Sequence, residues 1–306
     1  MTARKPRPSH CWINSTDVSE ADYQREAFER AAPEPLPTGT RIAMALEYQG
    51  RAYRGWQRQD KPYVSTVQAA VEAAVSHVAA QPVTILCAGR TDAGVHASHQ
   101  LIHFDTPVAR SAKAWLAGSN ALLPEDVAAK WVRPVPADFH ARFSATARRY
   151  RYVILNQARR SAHLVGGVTH FDLPLDAELM HREAQCLLGE QDFSAFRAAS
   201  CQSVSPMRNI HFITVQRFGR MVMIDIQGNA FLHHMVRNIA GVLMAVGSGQ
   251  QPPGWTADVL ATRDRTQGGV TAKPDGLYLV DVIYPPQFGL PAAAPGPEFV
   301  RAFMAN

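Results

Sequence analysis

Cysteine is scarce in this chain, with four in 306 residues, at Cys11, Cys87, Cys186 and Cys201. No two stand at the close spacing of a zinc or redox motif, and four are too few for a disulfide framework. No run approaches the roughly 18 apolar residues of a membrane span. The opening MTARKPRPSHCWINSTDVSE lacks the apolar core of a secretory signal. Also missing are the glycine-rich dinucleotide fingerprint, a phosphate-cradling loop ending in Gly-Lys-Ser/Thr, and a nucleophile elbow. These absences argue against a membrane protein, a secreted disulfide scaffold and the common nucleotide-dependent enzymes. The expectation is a cytoplasmic protein with reduced thiols, no cofactor and no membrane partner.

Lysine is short as well: the 31 basic residues are 26 arginines and only 5 lysines, against 26 acidic groups, for a net charge of +5. Guanidinium forks match phosphate oxygens and stack on bases, so this balance suits nucleic acid, although a G- and C-rich genome produces the same bias. Hydrophobic residues at 46% and charged residues at 19% provide for a substantial core, and the length suits about two domains.

Residues 1–38 read as a flexible extension in which prolines bracket one short helix, Ser19 to Ala31. An alternating strand follows from Arg41 to Tyr48. A helix is predicted over Thr66–Ala80, short strands over Val83–Cys87 and His99–Asp105, and a strand over Arg148–Leu155. A helix over Ala177–Leu188, an antiparallel pair Asn209–Phe218 and Met221–Gln227, an apolar helix Phe231–Val246 and a last strand Leu277–Tyr284 complete the pattern. The two halves, 39–145 and 146–288, repeat a strand–helix–strand theme. They predict an α+β protein of two similar lobes, with a mostly antiparallel mixed sheet flanked by helices and a cleft between the lobes. Residues 289–306 read as a tail that wraps the surface or frays.

Three segments carry candidate chemistry. In the first, Ala88 to Ala97, glycines 89 and 94 permit tight turns, and Arg90 and Asp92 leave one face if the stretch is extended. A carboxylate held ionised beside a guanidinium can act as nucleophile or base; a plain Asp-Ala-Gly turn is the alternative. The second, Ala141 to Val153, has Arg142, Arg148, Arg149 and Arg151 interleaved with Tyr150 and Tyr152, the composition of a surface that follows phosphates and stacks bases. A solvated strand with core tyrosines is the alternative, and Tyr152 is the more structural of the pair. In the third, Asn229 to Gly241, an arginine within an apolar helix calls for an anionic partner if buried, and Asp92 is a candidate for Arg237; otherwise Arg237 snorkels to water. His96, His99 and His103 suggest a metal, but no cysteine or carboxylate completes the set, and no metal is expected.

The segment Gly89-Arg90-Thr91-Asp92-Ala93-Gly94-Val95-His96-Ala97 closely resembles the tRNA pseudouridine synthase A family. So do Tyr48-Gln49-Gly50, Gly55 to Gln59, Thr66-Val67-Gln68, Phe139 to Ala145, Arg148 to Tyr152, Gly189 to Phe196 and His233 to Asn238, in family order, over roughly residues 38–286. The resemblance implies the pseudouridine synthase fold and isomerisation of uridine to pseudouridine at positions 38, 39 and 40 of the tRNA anticodon arm, by a homodimer that needs no metal or cofactor. Asp92 matches the essential aspartate, as nucleophile or base, and Tyr150 the tyrosine that stacks on the target base. Arg90 matches the arginine that holds the flipped nucleotide out, and Arg237 the one that pairs with the catalytic carboxylate. Gln49 replaces a usual Asp and His99 a usual small residue, both outside the catalytic set. Two other readings stand beside it: a catalytically silent tRNA-binding or folding protein of the same fold, and a hydrolase that releases free uracil.

Overall fold

The computed structural model describes residues 34–59, 64–292 and 296–304, so the predicted helix Ser19–Ala31 lies outside the described residues. Among the described residues, twelve strands and six α-helices follow in chain order. The strands are β1 (Pro35–Leu36), β2 (Arg41–Tyr48), β3 (Leu86–Cys87), β4 (His96–Asp105), β5 (Arg110–Ser111), β6 (Val127–Pro134), β7 (Ala147–Asn156), β8 (Thr169–Phe171), β9 (Gly189–Asp192), β10 (Met207–Phe218), β11 (Met221–Gly228) and β12 (Leu277–Ile283). The helices are α1 (Val67–Ala79), α2 (Ala112–Asn120), α3 (Ala177–Ala184), α4 (Met235–Gly247), α5 (Trp255–Thr262) and α6 (Glu298–Met304).

Ten of the strands form one sheet in the order β6-β2-β4-β12-β7-β11-β10-β9, with β3 added to β4 and β8 to β7. Its pairs are antiparallel except β4–β12 and β7–β8. The last strand therefore returns to the middle, parallel to β4 at Tyr278↔His96 and antiparallel to β7 at Leu279↔Tyr150. That insertion joins the two halves into a continuous mixed sheet carrying helices, the α+β architecture the patterning predicts.

Strand alternation explains which side chains go where. Tyr150, Tyr152 and Ile154 of β7 enter the main apolar cluster, while Val153 and Leu155 enter a smaller one on the opposite face. Tyr152 is fully buried and its hydroxyl donates to the Lys273 carbonyl at 2.8 Å. In β2 the pattern predicts one buried face, yet Ala43 and Ala45 are buried as completely as Ile42 and Met44. The strand lies between β4 and β6, and its alanines join the core too.

Helix ends follow local chemistry. Thr66 caps α1 by accepting from the Ala69 amide, and Asp176 caps α3 by accepting from Leu179 at 2.9 Å. The predicted helix Ala177–Leu188 tightens after Ala184 into a 3₁₀ turn, Gln185–Leu187. The apolar helix predicted from Phe231 starts at Met235, because His234 takes a left-handed conformation (φ 63°) that no α-helix accommodates. The tail after residue 289 does more than wrap or fray: in α6, Val300 is buried and Phe299 packs against the cluster of Val153, Leu155, Met223 and Tyr278. Sequence patterning does not anticipate α2, β6 or α5.

Candidate active site

Asp92 lies in the loop that leaves β3 and enters β4, and that loop is pinned from several sides. The Trp56 amide donates to the Thr91 carbonyl at 3.0 Å, and the Val95 amide closes a turn on the Asp92 carbonyl at 3.1 Å. Tyr48 and Thr91 share a hydroxyl–hydroxyl bond of 2.8 Å, and the Gln100 side chain bonds both the amide and the carbonyl of Gly89. Gly55, at φ 97°, brings its backbone so close to Thr91 that a Cβ would stand 2.9 Å from the Thr91 carbonyl oxygen. The Gly55-to-Gln59 and Thr66-Val67-Gln68 motifs meet here. The Gln68 side-chain oxygen accepts from Gln57 Nε2 at 2.9 Å and from the Arg58 amide at 3.0 Å, bracing the turn beneath the loop.

The carboxylate is left 21% exposed and faces three nitrogen-bearing side chains from the start of α4. Arg237 Nη1 lies 3.5 Å from Oδ2, His234 Nε2 3.5 Å from Oδ2 and His233 Nε2 3.3 Å from Oδ1. Arg237 is steadied by donating from Nε to the Ala272 carbonyl at 2.8 Å. The guanidinium that meets Asp92 is thus Arg237 of the second half, as the argument from an arginine in an apolar helix anticipates. Arg90, two residues away, is exposed and makes no ion pair among the described residues.

His233 and His234 carry no role in the sequence reading. As members of a regular helix they would turn with it; the left-handed His234 instead sets both imidazoles on Asp92, at a strain of about 1–3 kcal/mol. Burial pushes the His234 imidazole down from its usual range, with the Asp92 charge acting against that shift. The signal that could have found them is the pairing of Arg237 with Asp92, which brings the residues just before Arg237 along with it.

Tyr150 is 9% exposed, and its ring meets Phe231 edge to face at 5.2 Å between centroids. Burial raises its phenol well above the usual range, Arg148 opposes this, and the Asp92 charge raises it further. The buried phenol accordingly keeps its proton, within electrostatic reach of the Asp92 carboxylate.

The arginines singled out by composition divide sharply. Arg142 is exposed, with its guanidinium 5.4 Å from the Phe143 ring, and Phe143 is itself 75% exposed. Arg148 turns inward and donates to the carbonyls of Ala88, Ala145 and Asn229 at 3.0–3.2 Å. Arg149 makes a two-bond fork to Asp225, both at 2.7 Å, and lies over Phe212. Arg151 is 1% exposed and bonds Asp225 at 2.8 Å and the Gly296 carbonyl at 3.0 Å. Of the four, Arg151 is thus committed inside the fold and Arg149 to a carboxylate, on the face of β7 opposite Tyr150 and Tyr152, while Arg142 stays exposed.

The histidines of β4 are likewise structural. His96 stacks on Tyr278 and accepts the Gly50 amide at 3.0 Å, and His103 accepts the Ala141 amide at 3.1 Å. His99 is buried near Trp131. A cavity of about 450 Å³ backs onto Ala93 and Gly94, lined by Arg51, Arg54 and Asp275 among others.

Comparison with known proteins identifies relatives over most of the chain. The family described as tRNA pseudouridine synthase matches residues 44–144 and 184–285, which include the Asp92 loop and the start of α4. The tRNA pseudouridine synthase A of Cronobacter sakazakii is 57% identical over 260 residues, covering 85% of this chain and 96% of that protein. The enzyme of the same name from Klebsiella pneumoniae gives the same figures. That of Escherichia fergusonii is 56% identical over 264 residues, 86% of this chain and 97% of the relative. A chain of a solved Cbf5-Nop10-Gar1 complex matches with a TM-score of 0.27 and 10% identity over 66% of this chain and 54% of its own, too remote to bear on function.

Proposed function

Because this chain belongs to the tRNA pseudouridine synthase family, we propose that it isomerises uridine to pseudouridine at positions 38 to 40 of the tRNA anticodon arm, with Asp92 at the chemical centre. Isomerase action on tRNA follows from the family; the site assignments rest on geometry. The observation that carries them is a partly exposed carboxylate on a pinned loop, met by a guanidinium and two imidazoles and flanked by a neutral aromatic ring.

In the reaction the uracil N1–C1′ bond breaks, the ring turns, C5 bonds to C1′, and the C5 proton leaves as N1 gains one. A uridine inside a stem must first leave the stack, at a cost of a few kcal/mol. Arg90, exposed beside Asp92, is suited to fill the vacated space, and Tyr150 to stack on the flipped base, worth about 1–3 kcal/mol. Asp92 acts on the sugar, as nucleophile at C1′ or as base. Arg237, anchored at Nε, orients the carboxylate. The high proton affinity of buried Tyr150 favours the platform role, since the phenol keeps its proton at neutral pH. Arg142 and Arg90 supply exposed charge toward phosphates.

Family resemblance further supports a homodimer working in the cytoplasm, where tRNA is found; a solution mass of twice the single chain checks the first point. The test of the reaction is tritium release from C5-labelled uridines of unmodified tRNA. Wild type should release tritium and Asp92→Ala should not, while still binding tRNA. Release by neither protein, with binding intact, would favour the silent tRNA-binding reading, and free uracil as product would favour a hydrolase.

A further inference from the structure

We propose that Asp92, His233 and His234 form an inhibitory site for a borderline-soft divalent transition ion, best exemplified by Zn²⁺, which reversibly shuts the enzyme down by occupying its carboxylate. One oxygen of Asp92 and one nitrogen from each imidazole all lie within 4.8 Å of one another. Zinc binds imidazole nitrogen and carboxylate oxygen at about 2.0–2.2 Å, so neighbouring ligands of a tetrahedral site stand about 3.3–3.6 Å apart. The observed separations are 3.3 Å from His233 Nε2 to Oδ1 and 3.5 Å from His234 Nε2 to Oδ2. Each imidazole thus already stands at such a spacing from one of the two carboxylate oxygens, His233 from Oδ1 and His234 from Oδ2.

Three further features point the same way. His233 Nδ1 lies 3.1 Å from the Ser200 hydroxyl, which can accept a hydrogen bond from Nδ1–H and leave the Nε2 lone pair for an ion. Such an outer hydrogen bond is the usual companion of a metal-binding histidine. The left-handed backbone at His234 fixes the pair of rings, 4.0 Å apart, on the same carboxylate. The side chains are 37%, 30% and 21% exposed, so an ion can enter and a water can hold the fourth position.

Arg237 opposes binding, since its guanidinium lies 3.5 Å from Oδ2. Its Nε anchor on Ala272 holds it there, which limits affinity and leaves Oδ1 as the better donor. The site selects by chemistry: Mg²⁺, the ion that accompanies tRNA, takes oxygen ligands in an octahedron and finds one carboxylate here, whereas two imidazoles favour zinc and cobalt. An ion on Asp92 excludes the ribose of the flipped nucleotide, so tRNA and metal compete. Metal binding itself does not depend on the proposed reaction; only its inhibitory consequence does.

The test uses Co²⁺ as a visible probe, in the full chain without tRNA. Wild type should develop the intense visible band of tetrahedral cobalt, and Zn²⁺ should abolish it while Mg²⁺ does not. His233→Ala and His234→Ala, checked for folding by denaturant titration, should each weaken Co²⁺ binding at least tenfold. In parallel, buffered Zn²⁺ should suppress tritium release by wild type, with full recovery on chelation. No band in wild type, binding by either histidine variant as tight as that of wild type, or loss of the effect in Cys201→Ser, whose sulfur lies 3.5 Å from the His233 amide, would overturn the assignment. If the tritium assay shows no activity at all, the proposed reaction fails while the cobalt band still reads the site.

Discussion

Replacing Arg151 with methionine should destabilise the protein by about 2–3 kcal/mol and leave its affinity for tRNA, and the salt dependence of that affinity, unchanged. The magnitude follows from what the guanidinium holds. Its Nε donates to Asp225 at 2.8 Å and its Nη1 to the Gly296 carbonyl at 3.0 Å, in a site 1% exposed. A hydrogen bond to a charged group contributes about 1.5–3 kcal/mol, and a carbonyl left buried without its donor costs about 1–3 kcal/mol. Removing a desolvated cation and keeping an apolar stem offset part of this loss. Asp225 also remains paired, because Arg149 keeps both its 2.7 Å bonds. Asp225→Ala is the harsher change, since it strips a buried arginine of its counter-charge, and should cost about 3–5 kcal/mol. The assay is urea denaturation of the three proteins, alongside tRNA binding at several salt concentrations. Arg142→Ala is the counterpart: stability stays within about 0.5 kcal/mol, while the slope of log K against log salt falls by about 0.7–0.9, one phosphate contact. If Arg151→Met kept full stability and lowered that slope, the assignment of Arg151 to the interior would be refuted.

Other outcomes follow from the same reasoning. Burial lowers His99 and His103 to about 4 from the ordinary 6.5. The unfolded chain therefore binds protons that the folded one refuses, and stability present above pH 6.5 is lost as pH falls toward 4, by up to about 3 kcal/mol for each histidine. Denaturant titrations across that range should show the loss, and His99→Ala should remove about one proton from the slope; an unchanged slope would contradict the burial argument. Gly50→Ala drives a Cβ into the Val95 carbonyl, so the Asp92 turn must shift. Tritium release should drop at least tenfold at temperatures where the variant stays folded, and near-normal release would show that the loop tolerates movement. Val300→Asp puts a carboxylate into the apolar cluster around Val153 and Tyr278. It should cost about 2–4 kcal/mol, read as a lower denaturation midpoint; an unchanged midpoint would mean that α6 does not stay docked.

Much of the centre of this molecule could be read from the chain itself. The alternation of β2 and β7, the helical spacing in α1 and the long β10–β11 hairpin depend on neighbours two to four residues away, and such periods are written in any sequence. Asp92 was equally conspicuous, as a carboxylate between glycines at the end of a strand, and so was the demand of Arg237 for an anion, which the structure meets with Asp92. What could not be read is whom each side chain meets. Composition treats Arg142, Arg148, Arg149 and Arg151 alike, yet Asp225, which claims two of them, lies 76 and 74 residues further on. Asp92 and Arg237 are 145 residues apart, and the backbone turn that brings His233 and His234 along is a single left-handed residue in an apolar pattern that otherwise reads as helix. Tertiary structure alone placed β12 in the centre of the sheet and α6 over its far face. Both are long-range closures, selected by burial summed over the whole core rather than by any local preference. Residue type and local period determined what could act at the site; the return of distant segments to one sheet decided which residues reach it.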